Sequence, residues 1–518
     1  MLRPTRALAC FTAAAALTAA GCGSAASSGD LDPATLLPAG SLFYADVVVR
    51  PEGDQEERMR ALAGRLLQTD DPGAKLVDMI ERAAADAGEA GSYEKEIEPW
   101  LGRRAGAAIT AVGGDRDEAR GALIAASRDD DAAREQLAAS ARADKERRGT
   151  YKNVTYWVDA DGAVTGALEG AVAFASDEAA FKRVVDTAEG GASLAKAKAF
   201  SDAVSALPDE REGTLYVDFR SLVKTAIAQS GTDPSSAAIV ERLLGTAAPM
   251  AAALVAEEDA LAIESSTKVP KDAGGMSLFG LPSTGGSALL RELPADAWAA
   301  AGFPDLGQSL DGYLKLAAGA LGGSVIQQQL EQQYRLDLER DVLSWLGDAA
   351  VFIRGEEVAA LSGGVTVEVK DPEAAATGLA KLMGLARREG APVQPTRVAG
   401  ARMAFELPLD AGEPGPLVIA LAQERLVLAY RRGTAEEMLD PERTVEDAGL
   451  YDRARDLAEM NPSLFLSFPV VAKFIEAEEA GDPGYAKAKP YLDMIDLVAA
   501  GSRREGDRLR GRLAIRLR

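Results

Sequence analysis

Trp100-Leu101-Gly102-Arg103-Arg104-Ala105-Gly106-Ala107-Ala108-Ile109-Thr110 has a counterpart 245 residues further on, Trp345-Leu346-Gly347-Asp348-Ala349-Ala350-Val351-Phe352-Ile353. In both, Trp-Leu-Gly leads into small and β-branched residues that read as a strand, 105–110 and 349–353. Working outward, matching landmarks follow in the same order. Leu37-Pro38-Ala39-Gly40 recurs as Leu293-Pro294-Ala295-Asp296. A strand at 122–127 leads into a helix from Asp131, and one at 365–369 leads into a helix from Asp371. Thr214-Leu215-Tyr216-Val217-Asp218-Phe219 matches Ser463-Leu464-Phe465-Leu466-Ser467-Phe468, with Lys224 and Lys473 at the same helical register after each. Each half closes on an expected hairpin, 252–256 with 260–265 and 497–502 with 508–517. The offsets are 256 residues at Leu37 and Leu293, 245 at Trp100 and Trp345, and 249 at Thr214 and Ser463. Landmarks so nearly equidistant, in unchanged order, imply an ancestral duplication with loop insertions.

Local signals mix helix and strand without regular βαβ alternation. Met59, Leu62 and Leu66 recur at helical spacing, as do Leu310, Leu314, Ala317 and Leu321. Asp371 before Pro372 is a helix start, because the carboxylate caps free amides and proline fits the first turn. Thr434 with Glu437 reads as a capping box. Asp161-Gly162, between strands at 155–158 and 163–167, suits a tight hairpin. Strands joined by short turns pair antiparallel, so the expected class is α+β: two duplicated domains, each a mostly antiparallel sheet with packed helices. The expected divisions are a leader at 1–21, a tether at 22–36, a first repeat at 37–272, a Gly/Pro linker at 273–290 and a second repeat at 291–518.

The leader carries Arg3 and Arg6, then an uncharged apolar run at 7–20, then Ala19-Ala20-Gly21-Cys22. This resembles a bacterial lipobox, in which the cysteine becomes the first mature residue and carries diacylglycerol on sulfur. The run of about 14 residues is short of the ~20 that cross a bilayer as a helix. Cys10 lies in the removed segment, so Cys22 has no disulfide partner and reads as a lipidation site. The tether, fully extended, would hold the body within about 50 Å of the membrane. The expected location is the outer face of the cell membrane.

Composition removes chemistry. The chain has no histidine, and its mature form would have no free thiol. Ser-His-Asp and Cys-His arrangements, histidine-based zinc sites and histidine-held haem are therefore excluded. No cofactor or metal is expected, and no catalytic residue is assigned. The 57 Lys and Arg face 80 Asp and Glu, a net charge of −23 that becomes −25 when Arg3 and Arg6 leave with the leader. So acidic a surface repels nucleic acid, which is not expected as a partner.

The opening Leu-Pro-Ala followed by an apolar strand and Arg50-Pro51, the Trp-Leu-Gly before a strand in each half, and the second Leu-Pro-Ala resemble an actinobacterial family of exported proteins catalogued as domain of unknown function 3352. The resemblance spans residues 37–518 and implies no activity. An alanine and arginine bias fits a high-GC actinobacterial source.

Several motifs point to chemistry and are outweighed. Ser221-Leu222-Val223-Lys224 fits the S-x-x-K pattern of penicillin-binding proteins, but the pattern also occurs at 193–196 and 265–268, and its companion motifs are missing. Asp159-Ala160-Asp161-Gly162 begins like a calcium loop without the distal glutamate. Asp129-Asp130-Asp131 sits where a helix begins. Trp100 and Trp345 read as core packing in preference to a ligand wall. The leading reading is a noncatalytic envelope scaffold that binds a protein or wall polymer. The alternative is a carrier of a lipid or another apolar ligand, similar to LolA-type carriers, with an apolar cavity between sheet and helices. A carboxylate-dependent enzyme is third, and its signature would be a cleft holding two acids with raised pKa.

Overall fold

The computed structural model describes residues 30–86, 92–112, 119–229, 248–269, 288–321, 331–357, 360–409 and 415–518. The chain divides into two compact units, Met1–Lys268 and Val269–Arg518. The α+β class is as expected.

Unit 1 contributes β1 (Phe43–Val48), β2 (Leu101–Val112), β3 (Ala119–Ser127), β4 (Arg147–Tyr151), β5 (Val154–Val158), β6 (Val164–Leu168), β7 (Ala171–Ala175), β8 (Gly213–Val217), β9 (Met250–Ala256) and β10 (Ala260–Lys268). All pair antiparallel, in the order β4-β5-β6-β7-β3-β2-β1-β8-β9-β10. Unit 2 contributes β11 (Ala297–Phe303), β12 (Leu346–Arg354), β13 (Ser362–Val369), β14 (Gln394–Thr396), β15 (Met403–Leu407), β16 (Leu417–Leu421), β17 (Arg425–Tyr430), β18 (Pro462–Ser467), β19 (Ile495–Glu505) and β20 (Arg508–Leu517). Its order is β14-β15-β16-β17-β13-β12-β11-β18-β19-β20, also antiparallel throughout. Matched strand for strand, the two orders are the same.

The sequence landmarks fall at equivalent joints. Leu37 O accepts from Leu194 N at 2.7 Å, and Leu293 O accepts from Val445 N at 2.9 Å. Each Leu-Pro-Ala segment is thus clipped to a distant loop just before the strand that opens its sheet. Trp100 O accepts from Arg128 N at 2.8 Å, and Trp345 O from Lys370 N at 2.9 Å. Each indole N–H donates one helical turn back, to Glu96 O at 2.7 Å and to Asp341 O at 2.9 Å. A buried indole needs such a partner, and both tryptophans are buried.

Helices cover both faces of the sheet in unit 1. Cross-strand register puts Tyr44, Ala108, Ala122 and Ala175 on one face, under the helices Glu178–Ala188 and Lys198–Val204. Ala105, Ala107, Leu123 and Ala125 form the other, against Trp100 and the helix Asp130–Ala143. Alanine on the inner strands keeps side chains short, so layers approach closely and larger residues fill the gaps. In unit 2, the helix Pro372–Arg388 packs with Trp345 on the face of Ala349 and Val367. The opposite face carries Phe352 and Phe465, both fully buried.

Three readings of detail change. Pro33–Thr35 is a turn of 3-10 helix, with Ala34 and Leu37 fully buried, so the packed body takes up the chain ahead of 37 because its apolar side chains join the core. Residues 273–287 of the expected linker lie outside the described residues, but Ala288–Glu292 is already a 3-10 turn with Leu289 and Leu290 buried. Thr434 and Glu437 do not form a capping box. The helix there is Arg432–Leu439, capped at Arg431, whose φ of 76° breaks strand β17 straight into helix. Thr434 is therefore inside the helix and bonds Ser362, while Glu437 pairs with Arg354.

Candidate functional site

The sequence-read lipidation residue Cys22 and the leader at 1–21 lie outside the described residues. Among the described residues no helix is long and apolar enough to cross a membrane. No group of three or more Cys, Asp or Glu among them could hold a metal ion.

The polar groups inside the sheets are then the places to look for chemistry. Strand alternation puts Tyr44 and Asp46 on one face of β1. Tyr44 is fully buried and donates its hydroxyl to Asp46 Oδ2 at 2.8 Å. The other carboxylate oxygen accepts from Thr214 N at 2.9 Å, and Arg104 Nη1 lies 3.3 Å from Oδ2. Burial pushes the Asp46 carboxyl up, against the opposing charge of Arg104. Burial, followed by the Asp46 charge, pushes the Tyr44 phenol well above its usual range. Both carboxylate oxygens are committed, and they tie β1 to β2 and β8.

Glu212 is the second buried acid. Oε2 accepts from Ala256 N at 2.7 Å, and burial pushes the carboxyl up. Asp46 sits with Arg104 and Asp32, whereas Glu212 sits with Gln55 and Arg58. Each is thus satisfied by its own surroundings. In unit 2, Asp341 is held by Arg340 and Lys381 at 3.1 and 2.9 Å, and Arg354 is held between Glu437 and Asp296. These arrangements cross-link elements, and spacing along the chain does not reveal contacts such as Lys381 with Asp341 or Thr214 with Asp46, whose partners are 40 and 168 residues apart.

The motifs weighed from sequence resolve into local structure. Ser221 Oγ donates to Asp218 Oδ2 at 2.7 Å, so its hydroxyl serves a helix start. Ser193 is buried in an isolated bridge to Pro38, and Lys268 at the end of β10 pairs with Asp202. Asp159 Oδ1 accepts from Asp161 N and Ala163 N, both at 2.9 Å, which closes the β5–β6 turn. Gly162 has a φ of 92°, as that turn demands. Asp129 caps the helix Asp130–Ala143 through Asp131 N and Ala132 N. Trp100 and Trp345 belong to the cores.

No curated protein matches the chain. Among solved structures, three crystal forms of TP0453 are similar over part of the chain. Form I is 12% identical with a TM-score of 0.27, covering 48% of this chain and 82% of that one. Form IV is 11% identical with a TM-score of 0.27, covering 46% and 81%. Form III is 10% identical with a TM-score of 0.26, covering 47% and 82%. The family profile described as "Protein of unknown function (DUF3352)" matches residues 27–404, which stops inside the second unit, short of the expected extent to 518. On a match over most of its length, the chain belongs to that family of proteins of unknown function.

Proposed function

We propose that the chain is an extracytoplasmic lipoprotein, anchored to the outer face of an actinobacterial cell membrane through diacylglycerol on Cys22, that acts as a noncatalytic binding or scaffold protein of the envelope. The lone Cys22 behind an uncharged apolar run and small residues supports the anchor. The observation that carries the scaffold reading is the filled space between sheet and helices. In unit 1, where an apolar cargo would sit under the helices, Phe200 lies edge-on to Tyr44 and Tyr216 with ring centroids 5.4 and 5.1 Å away. Phe181 packs on Tyr156 at 5.2 Å. Aromatic side chains fill this space, as expected of a scaffold. With the packed body beginning near Asp32, the chain from Cys22 onward would, fully extended, span at most about 35 Å. The common strand order supports descent of both units from one ancestral domain.

The test is expression of the full chain and its Cys22→Ala variant in an actinobacterial host, with mass spectrometry of the mature N-terminal peptide. A diacylglycerol mass on Cys22, and release of the variant from the membrane fraction, are expected. An unmodified Cys22 in a membrane-retained protein overturns the anchor. Native mass spectrometry of the mature protein separates scaffold from carrier: a stoichiometric lipid would make the carrier the better reading.

A further inference from the structure

The two sheets end differently at one equivalent edge. β4 and β14 stand outermost in the matched strand orders, and among the described residues each is paired on one side only, with β5 and with β15. β14 is three residues long with Pro395 at its centre. Proline has no N–H to give to a further strand, so this edge is closed to pairing. β4 is five residues long, Arg147-Arg148-Gly149-Thr150-Tyr151, and holds no proline.

The turn after β4 fixes which way its backbone points. Lys152 and Asn153 have φ of 46° and 66°, the two left-handed residues of a two-residue hairpin loop, and Tyr151 stands opposite Val154. Residues that flank such a loop bond each other, and bonding alternates along the strand, so Tyr151, Gly149 and Arg147 bond to β5. The N–H and C=O of Arg148 and Thr150 therefore face outward. Both residues are exposed, and nothing among the described residues takes up these four groups.

Side chains alternate with the same period. Arg147 and Tyr151 turn toward the helix Glu178–Ala188, where Arg147 pairs with Glu178 and the Tyr151 hydroxyl donates to Asp186 Oδ1 at 3.0 Å. Lys152 pairs with Asp186 at 2.6 Å. Gly149 yields its place on that face to the Tyr156 ring, which a Cβ there would strike. The strand is thus anchored through one face and leaves its outer edge bare. Arg148 and Thr150 lie on the other face, opposite Trp157 and Thr155. Among the described residues the Arg148 side chain makes no ion pair, and neither does that of Lys145, which is exposed just ahead of the strand.

We propose that the outer edge of β4 takes up an extended, acidic segment of a partner protein as a further strand of the unit 1 sheet. The outward groups of Arg148 and Thr150 supply the backbone pairing, and an acidic side chain across from Arg148 supplies the choice of partner. Charge on an edge strand is also a guard against promiscuous pairing. Here it bars a second copy, since two β4 edges laid together would bring four arginines into one ribbon, and it favours an acidic strand. Pro395 at the equivalent edge bars any strand. The inference rests on the reading of this protein as a binding protein and names its partner's chemistry. Its test reads β4 alone, so its failure would remove this partner and leave the anchor on Cys22 and the filled cores as they stand.

The experiment is a calorimetric titration of the mature chain with the blocked peptide Thr-Glu-Val-Glu-Val-Glu-Thr and, separately, with the same peptide carrying lysine for glutamate. Hydrogen exchange over 147–151 is followed by mass spectrometry in each. The acidic peptide is expected to bind saturably and to slow exchange there, and the lysine peptide to do neither. Thr150→Pro removes one outward N–H, as Pro395 does in β14, and is expected to raise the dissociation constant at least about tenfold. Arg148→Glu leaves the backbone intact and is expected to reverse the preference, losing the acidic peptide and gaining the lysine one. No saturable binding of the acidic peptide, equal binding of both peptides, or variants that bind as wild type does overturns the proposal. A dimer of the unliganded chain that Thr150→Pro abolishes would give the edge to a second copy and overturn it too.

Discussion

Tyr44 donates its hydroxyl hydrogen bond to Asp46, two residues along the same strand and 2.8 Å away. The pair lies on β1, an interior strand of the unit 1 sheet, with Thr214 N–H and Arg104 completing the carboxylate's surroundings. Removing one member of such a buried group strands the others. Asp46→Ala is expected to destabilise unit 1 by about 3 kcal/mol, and Tyr44→Phe by about 1 kcal/mol. Urea unfolding of each variant checks this, and a loss below 0.5 kcal/mol for Asp46→Ala (roughly surface-like) would show that the pair does not hold β1 in place.

Asp341 gives a pH dependence of known sign. Arg340 first, then Lys381 and the Asp337 N–H, hold its carboxyl down at about 2. A carboxyl depressed in the folded state contributes stability that is complete above its unfolded value of about 4 and is lost as pH falls through that value toward 2. Wild type is therefore expected to lose unfolding free energy between about pH 4 and pH 2 more steeply than Asp341→Asn. Parallel stability curves for the two proteins in that window would contradict the assignment.

Trp345 is 2% exposed, and its side chain reaches from the start of β12 into the core beneath the helix Pro372–Arg388. Trp345→Ala is expected to cost about 3–5 kcal/mol through the cavity and the orphaned Asp341 carbonyl. Trp100→Ala should act likewise in unit 1. A variant that stays near wild-type stability would return these tryptophans to the role of a ligand wall.

Asp371 Oδ1 accepts from Glu373 N and Ala374 N, both at 3.0 Å. Asp371→Ala is expected to lower stability by about 1 kcal/mol, and Asp371→Asn, which keeps the acceptor, by much less. Equal losses for the two substitutions would mean that the acceptor is not what matters at this position.

The elements legible from sequence are those whose causes are local. Gly162 is read as a turn because only glycine accepts its φ without penalty, and Asp371-Pro372 as a helix start because a carboxylate and a proline suit free amides. Thr434 shows where local reading stops. Its spacing from Glu437 satisfies a capping pattern, yet Arg431 adopts a left-handed φ and starts the helix earlier, because β17 must turn at once to lay Ala435 and Met438 on the sheet.

By itself, the sequence determined the α+β class, the hairpins and the paired landmarks, since alternation, turn sterics and capping depend on neighbours along the chain. Only the tertiary structure decided that helices cover both faces of the unit 1 sheet and that Asp46 meets Arg104. Period-two alternation says which residues of one strand share a face. It does not say which strand lies alongside or in what register, and those are fixed by packing between segments far apart in the chain.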